Sequence, residues 1–207
     1  MPTLVERLFA TKKNQILMLQ TRGFEVPDAK ILDMTQEEFD DYFQGKISKL
    51  TTQITKPEPL MVWYIETTEK DVPIADIRQF FAFITDERGQ TPVFKHSIII
   101  SDQKLGSDAI KNINEMPAFR IEHFRFDQLS YNPLEHFLAV QHVRLSKQET
   151  KAFYAANHYI VPSQLPTLLS TDPVARYYDF QPGDLIEIHR YLPESISYRI
   201  VVRGPRK

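Results

Sequence analysis

The chain has 207 residues, 42% hydrophobic and 12% aromatic, with 25 Lys+Arg against 27 Asp+Glu for a formal charge of −2. Its size suits one large or two small packed domains, and its near-neutral charge makes it a poor candidate for strong autonomous binding to nucleic acid, which rests mainly on phosphate neutralisation. The lack of cysteine excludes disulfides and thiolate metal sites, no apolar run approaches the roughly 18 residues of a membrane helix, and no basic-then-apolar leader opens the chain, so secretion is not expected.

The charge is uneven. Residues 1–133 carry 16 Lys+Arg against 20 Asp+Glu, and residues 134–207 carry 9 against 7. Any DNA contact is therefore expected to be local, or made within a larger assembly.

In chain order, Thr3 to Arg22 reads as a helix. Leu4, Val5, Leu8, Phe9, Ile16 and Leu19 fall near helical spacing, and Gly23 follows as a C-terminal cap. Thr35-Gln36-Glu37-Glu38 is a capping box opening a helix with Phe39, Tyr42 and Phe43 on its apolar side and a stop near Gly45. Residues 46–58 read as a polar linker or long loop, and Leu60 to Glu66 as a buried strand carrying Trp63. Asp71 to Arg88 suits a helix through Ile74, Ile77, Phe80, Phe81 and Ile84. Phe94 to Ser101 reads as a second buried strand. Ser107 and Asp108 are expected to cap a short helix running to Ile113. Phe119 to Phe126 alternates, with Phe119, Ile121, His123 and Arg125 on one face. Strands mixed with helices argue an α/β N-terminal domain over residues 1–133.

Ser130-Tyr131-Asn132-Pro133 marks the boundary. Leu138 to Leu145 then reads as a strand. Ser146 to Glu149 forms a second capping box, and the helix after it, to Ile160, is expected to bury Ala152, Phe153, Ala156 and Tyr159. Asp172 can cap a helix with Pro173 at its first position, where the missing N–H costs nothing. Gln181-Pro182-Gly183-Asp184 reads as a type II turn. Leu185 to Arg190 alternates as a strand, and Ile196, Tyr198, Ile200 and Val202 share one face of the last strand. Residues 134–207 thus form a small α+β domain.

Catalytic signatures are sparse. The six histidines form no close ligand pair, and no G-x-S-x-G, P-loop or G-x-G-x-x-G is present. No catalytic residue, metal site or cofactor is assigned. One skeleton stands out: Asp86, then Asp102-Gln103-Lys104 at a strand end. A carboxylate followed by carboxylate-x-lysine could hold Mg²⁺ and orient a water, as in metal-dependent nucleases. Lys104, Ser107 and Lys111 form a separate candidate, a helix start flanked by lysines that offers N–H groups to a phosphate.

The run Leu165-Pro166, Asp172-Pro173-Val174-Ala175-Arg176-Tyr177, Gly183-Asp184, Arg190 and Ser197-Tyr198-Arg199-Ile200-Val201 resembles the C-terminal assembly domain of the fifth-largest subunit shared by the eukaryotic nuclear RNA polymerases. Its archaeal counterpart consists of that domain alone. The segment through Arg22-Gly23-Phe24 is similar to the exit of that subunit's first helix. The resemblance implies a non-catalytic subunit of a multisubunit DNA-directed RNA polymerase. Its N-terminal jaw domain would have an inactive nuclease-like fold near downstream double-stranded DNA, which accounts for the carboxylate-lysine echo. Its C-terminal domain would dock on the largest subunit, as one copy within the polymerase core and without a membrane. Asp172, Pro173, Val174, Arg176, Tyr177, Gly183, Asp184, Arg190, Tyr198 and Arg199 are the interface residues it implies, with Tyr177 and Tyr178 as aromatic anchors. Lys104, Ser107 and Lys111 would be DNA-proximal, at a loop whose family T-P-S-A sequence is here Leu105 to Ala109.

Three departures mark a divergent copy: a short loop from Tyr191 to Ile196, no glycine around Tyr178-Asp179, and a run-on from Arg203 to Lys207. A polymerase of a large DNA virus would fit. The expected place is the nucleus for a cellular copy, and host cytoplasm and virion for a viral one. A free-standing transcription-associated interaction module, and a nuclease using Asp86, Asp102 and Lys104, are the alternatives.

Overall fold

Local signals start most of the elements in the computed structural model, which describes residues 3–85, 93–136, 139–191 and 194–204. Thr3 opens α1 (Leu4–Thr21) through a reciprocal capping box with Glu6. Gly23 closes it at φ 87°, with its N–H on the Gln20 carbonyl and the Phe24 N–H on that of Leu19. That left-handed step is open to glycine at no steric cost. Thr35 and Glu38 cap α2 (Gln36–Phe43) in the same way.

The chain divides into two compact units, Met1–Tyr131 and Asn132–Lys207. The first is built on a four-stranded sheet in the order β1-β2-β3-β4. Its strands are β1 (Thr52–Ile54), β2 (Leu60–Ile65), β3 (His96–Ser101) and β4 (Arg120–Arg125). The last three run parallel, and β1 is antiparallel to β2. Parallel neighbours need crossovers, supplied here by α3 (Ile74–Ile84) and α4 (Ser107–Asn114).

Each strand has two faces. Met61, Ile65 and Ile99 pack with Ile77, Phe80, Phe81 and Ile84 of α3 and with Ala109 of α4. Tyr64 points the other way, its hydroxyl donating to the Gln15 side chain of α1 at 3.4 Å. Helices therefore cover both sides of the sheet, which explains why β2 and β3 read as continuous apolar runs.

Residues 46–58 are not a plain loop. Ile47–Leu50 forms a 3-10 turn and Thr52–Ile54 pairs with β2, burying Leu50 and Ile54. The α3 helix ends at Ile84, and the expected Arg88-Gly89 stop lies outside the described residues. The N-cap of α4 is Gly106, with no side-chain cap from Ser107 or Asp108.

The second unit is a four-stranded sheet in the order β5-β7-β8-β6. These are β5 (Gln141–Arg144), β6 (Thr167–Leu169), β7 (Leu185–Tyr191) and β8 (Glu194–Val202). One face carries Ile186, Ile188, Val201 and Leu168, packed with Ala175 and Phe180 from α6 (Pro173–Tyr177) and the residues after it. The core face of β8 is thus that of Val201, opposite the expected apolar row.

The helix α5 (Lys147–Ala156) is shorter than expected and buries no residue fully. Ala152 and Ala156 are exposed, and Tyr159 is 93% exposed. The Phe153 ring lies 4.5 Å from that of Tyr198, tilted by 43°, an aromatic contact where a full apolar stripe was expected.

Candidate functional site

The helix-turn-strand unit from Leu165 to Arg190 folds by local chemistry. Asp172 accepts the N–H groups of Val174 and Ala175 at 2.8 and 3.5 Å. Pro173 follows at the first helical position. After α6 the chain takes a left-handed step at Asp179, φ 59°. An aspartate tolerates that region better than most residues, and its carboxylate accepts a 2.7 Å bond from the Gln181 amide.

The expected turn is present. Gly183 takes φ 98°, and the Asp184 N–H reaches the Gln181 carbonyl at 2.9 Å. The Asp184 carboxylate accepts the Gln181 N–H at 2.8 Å, and the Gly183 N–H bonds the Val201 carbonyl at 2.9 Å. Asp172, Gly183 and Asp184 are therefore committed to the fold of the unit.

Side chains remain for an outer surface. Pro173 is exposed, and Val174 and Arg176 are half-buried. Tyr177 is only 3% exposed, its ring 6.0 Å from that of Tyr178. Tyr178 is half-buried and stacked 5.1 Å from Phe180, and burial raises its phenol pKa. Tyr198 donates to the Glu187 carboxylate at 2.8 Å, which raises its pKa, with burial adding to the shift.

The strand register sorts the arginines. Direct partners point to the same side of a sheet. Ile186 faces Arg199 and Arg144, Ile188 faces Ser197 and His142, and Arg190 faces Ser195. Arg190, Arg199 and His142 therefore share one side, while Tyr198 lies on the other. Arg190 is exposed, and Arg199 and His142 are half-buried. Sequence reasoning missed His142, although the β5 alternation could have placed it.

The expected DNA-proximal loop has its own geometry. The Val72 N–H bonds the Lys104 carbonyl at 2.8 Å, and Gly106 returns a bond to the Val72 carbonyl at 3.2 Å. A Cβ at Gly106 would come 3.2 Å from that carbonyl, so the strap is close. The Lys104 ammonium is 65% exposed and 3.6 Å from Asp71. Ser107 opens α4, and Lys111 is exposed in its last turn.

Asp86 lies outside the described residues. Asp102 and Lys104 fall beyond the end of β3, where Asp102 accepts the Thr67 N–H at 3.3 Å and Lys104 turns to Asp71. Nearby, the Ser101 hydroxyl lies 2.7 Å from His123 Nε2, the spacing of a nucleophile and its base. Yet Ser101 donates its proton to the Gln103 carbonyl at 2.6 Å, so it accepts from the imidazole and is not activated.

Two buried ionic clusters escaped sequence reasoning. Arg22 grips Glu122 with two bonds of 2.9 and 3.0 Å, and His96 Nε2 lies 2.8 Å from the same carboxylate. Lys12 is fully buried, bonded to the Leu50 carbonyl at 2.9 Å and Thr52 at 2.7 Å, with Asp28 at 3.4 Å. The signal for Lys12 was present: it lies four residues from both Leu8 and Ile16, on the buried stripe.

Comparison with known proteins adds the following. Residues 131–201 match the family model described as "RNA polymerase Rpb5, C-terminal domain". The chain is 28% identical over 211 aligned positions to DNA-directed RNA polymerases I, II, and III subunit RPABC1 of Caenorhabditis briggsae, covering 95% of this chain and 96% of that protein. It is 28% identical over 204 positions to DNA-directed RNA polymerase subunit 5-like protein 1 of Arabidopsis thaliana, covering 94% and 93%. It is 44% identical over 77 positions to DNA-directed RNA polymerase subunit Rpo5 of Thermofilum pendens, covering 36% of this chain and 95% of that protein.

Proposed function

The chain belongs to the RNA polymerase Rpb5 family, and from that premise we propose that it is a non-catalytic subunit of a multisubunit DNA-directed RNA polymerase. The observation that carries this reading is the 44% identity across 95% of the archaeal subunit. The family match at residues 131–201 falls almost wholly within the second compact unit.

In this reading the second unit anchors the chain on the largest subunit. The surface residues Pro173, Val174, Arg176, Arg190, Tyr198 and Arg199 supply the contact, while Asp172, Tyr177, Gly183 and Asp184 hold its shape. The first unit serves as the jaw domain beside entering DNA, with an inactive nuclease-like fold. Its mostly parallel sheet with helices on both faces supports that reading, as does the bond of the Asp102 carboxylate to the Thr67 N–H. Lys104, Ser107 and Lys111 form the edge closest to the duplex. The polymerase holds the chain inside the cell: in the nucleus if the copy is cellular, in host cytoplasm and virion if it is viral.

Sedimentation of a native extract tests the subunit role. The chain should migrate with the RNA-synthesising peak and stay there at moderate salt. Migration at the size of a single chain, with the polymerase peak free of it, would overturn the reading.

A further inference from the structure

The side of the C-terminal sheet that carries its core also carries an uncompensated pair of charges. Three rows cross it by register: Arg144, Ile186 and Arg199; His142, Ile188 and Ser197; then Arg190 with Ser195. Arg144 lies 3.5 Å from the Asp184 carboxylate. Arg190 and Arg199 have no hydrogen bond or ion pair among the described residues. Arg199 is nonetheless half-buried, and a guanidinium withdrawn from water without a partner is unfavourable.

Two neighbours report the same deficit. The Ser197 hydroxyl, in the row between the two arginines, is shielded from solvent and has no hydrogen-bond partner. Buried polar groups without partners are uncommon in finished folds. His142 donates from Nδ1–H to the Val140 carbonyl at 2.8 Å. Burial lowers its pKa, the Val140 carbonyl and Asp172 oppose that, and Arg199 and Arg190 lower it further. Both guanidiniums therefore project positive potential onto this spot. Asp172 is the acid facing it, and its carboxylate is engaged by the α6 N–H groups.

We propose that the face bearing His142, Arg190, Ser197 and Arg199 seats an acidic peptide segment of a partner polymerase subunit, one Asp or Glu carboxylate bridging Arg190 and Arg199. The proposal rests on the subunit reading and names the chemistry of its interface. Charge complementarity selects the occupant. Two arginines beside buried Ile188 match one carboxylate on an extended peptide. A nucleic-acid backbone would need a longer basic track, and this unit has 9 Lys+Arg against 7 Asp+Glu over residues 134–207.

The test uses the full chain, tagged, in its native source. Arg190→Glu with Arg199→Glu should cut recovery of the large polymerase subunits about tenfold or more, while circular dichroism shows the purified variant folded and Lys151→Glu leaves recovery intact. Arg199→Lys should preserve assembly and place an amine at the site. Zero-length carbodiimide coupling of that complex should then join position 199 to an Asp or Glu of another subunit, mapped by peptide mass spectrometry. Normal recovery of the double variant, or coupling of position 199 only within its own chain, overturns the proposal while leaving the subunit reading standing. Loss of the association on nuclease treatment also overturns it, in favour of nucleic acid. Failure of the wild-type chain to recover any polymerase subunit removes the subunit reading itself.

Discussion

Arg22 and Glu122 form a two-pronged ion pair, at 2.9 and 3.0 Å, that ties the end of α1 to the edge strand β4. The Arg22 side chain is 3% exposed and that of Glu122 is 17% exposed, so the pair is largely withdrawn from water. Burial alone would raise the Glu122 pKa. The Arg22 charge, with hydrogen bonds from His96 and Arg22, outweighs it and holds the carboxyl well below the usual range.

Arg22→Gln should destabilise the first unit by about 3 kcal/mol, because it strands a buried carboxylate. Urea unfolding followed at Trp63, the only tryptophan, reads this unit. A folded pKa below the unfolded one gives stability that is present above the ordinary carboxylate pKa and lost as pH falls through the folded value. Acid unfolding of the variant should therefore begin at higher pH than in wild type. Superimposable acid transitions would contradict the pairing.

Lys12 predicts a slope of the same sign in the alkaline range. Burial lowers its pKa from 10.5 to about 8, against the raising influence of Asp28. Between those values the unfolded chain binds more protons, so stability should rise with pH from about 8 to 10, by at most about 1.4 kcal/mol per pH unit. Tyr64, whose pKa is raised by burial and then by Asp28, adds stability that is lost only above its ordinary value of 10.0. Lys12→Met should remove the alkaline rise. Equal slopes for both chains, read at Trp63, would contradict it.

The second unit should answer to two single changes. Asp172→Ala removes the cap of α6 and should cost about 1 kcal/mol. Gly183→Ala meets no atom within 4 Å, so its cost comes from the left-handed φ alone. That should also be about 1 kcal/mol. Near-UV circular dichroism during thermal unfolding reads both, and unchanged midpoints would contradict the turn and cap assignments.

If the first unit lies beside DNA, Lys104→Glu with Lys111→Glu should weaken template binding by the assembled polymerase. The loss should be larger at low salt, since each phosphate contact releases counterions. Both lysines are exposed, so folding should be unaffected. Equal binding at low salt would remove them from the DNA edge.

What was legible in the sequence was local. Thr35 and Ser146 each announced a helix through a side chain that bonds its own first turn. Asp172-Pro173 and Pro182-Gly183 did the same for α6 and the turn after it. What was missed depends on partners far along the chain. β1 has three residues and too little alternation to register, and it exists because β2 pairs with it. Arg22 reads as a helix stop until Glu122, a hundred residues on, is placed beside it. Tyr159 shows the reverse error: an aromatic at helical spacing, but beyond the end of the helix and in solvent. At the interface, the motif Asp172 to Tyr177 was legible, yet half of it serves the fold. The unpaired arginines became visible only when register put Arg190, Arg199 and His142 on one side.

The most direct measurement is affinity purification of the tagged chain from its native source at moderate salt, with every co-purifying polypeptide identified and its stoichiometry counted. The subunit reading predicts one copy of this chain per copy of each of the two largest polymerase subunits. Recovery of the chain alone, or with polymerase far below equal stoichiometry, would contradict it.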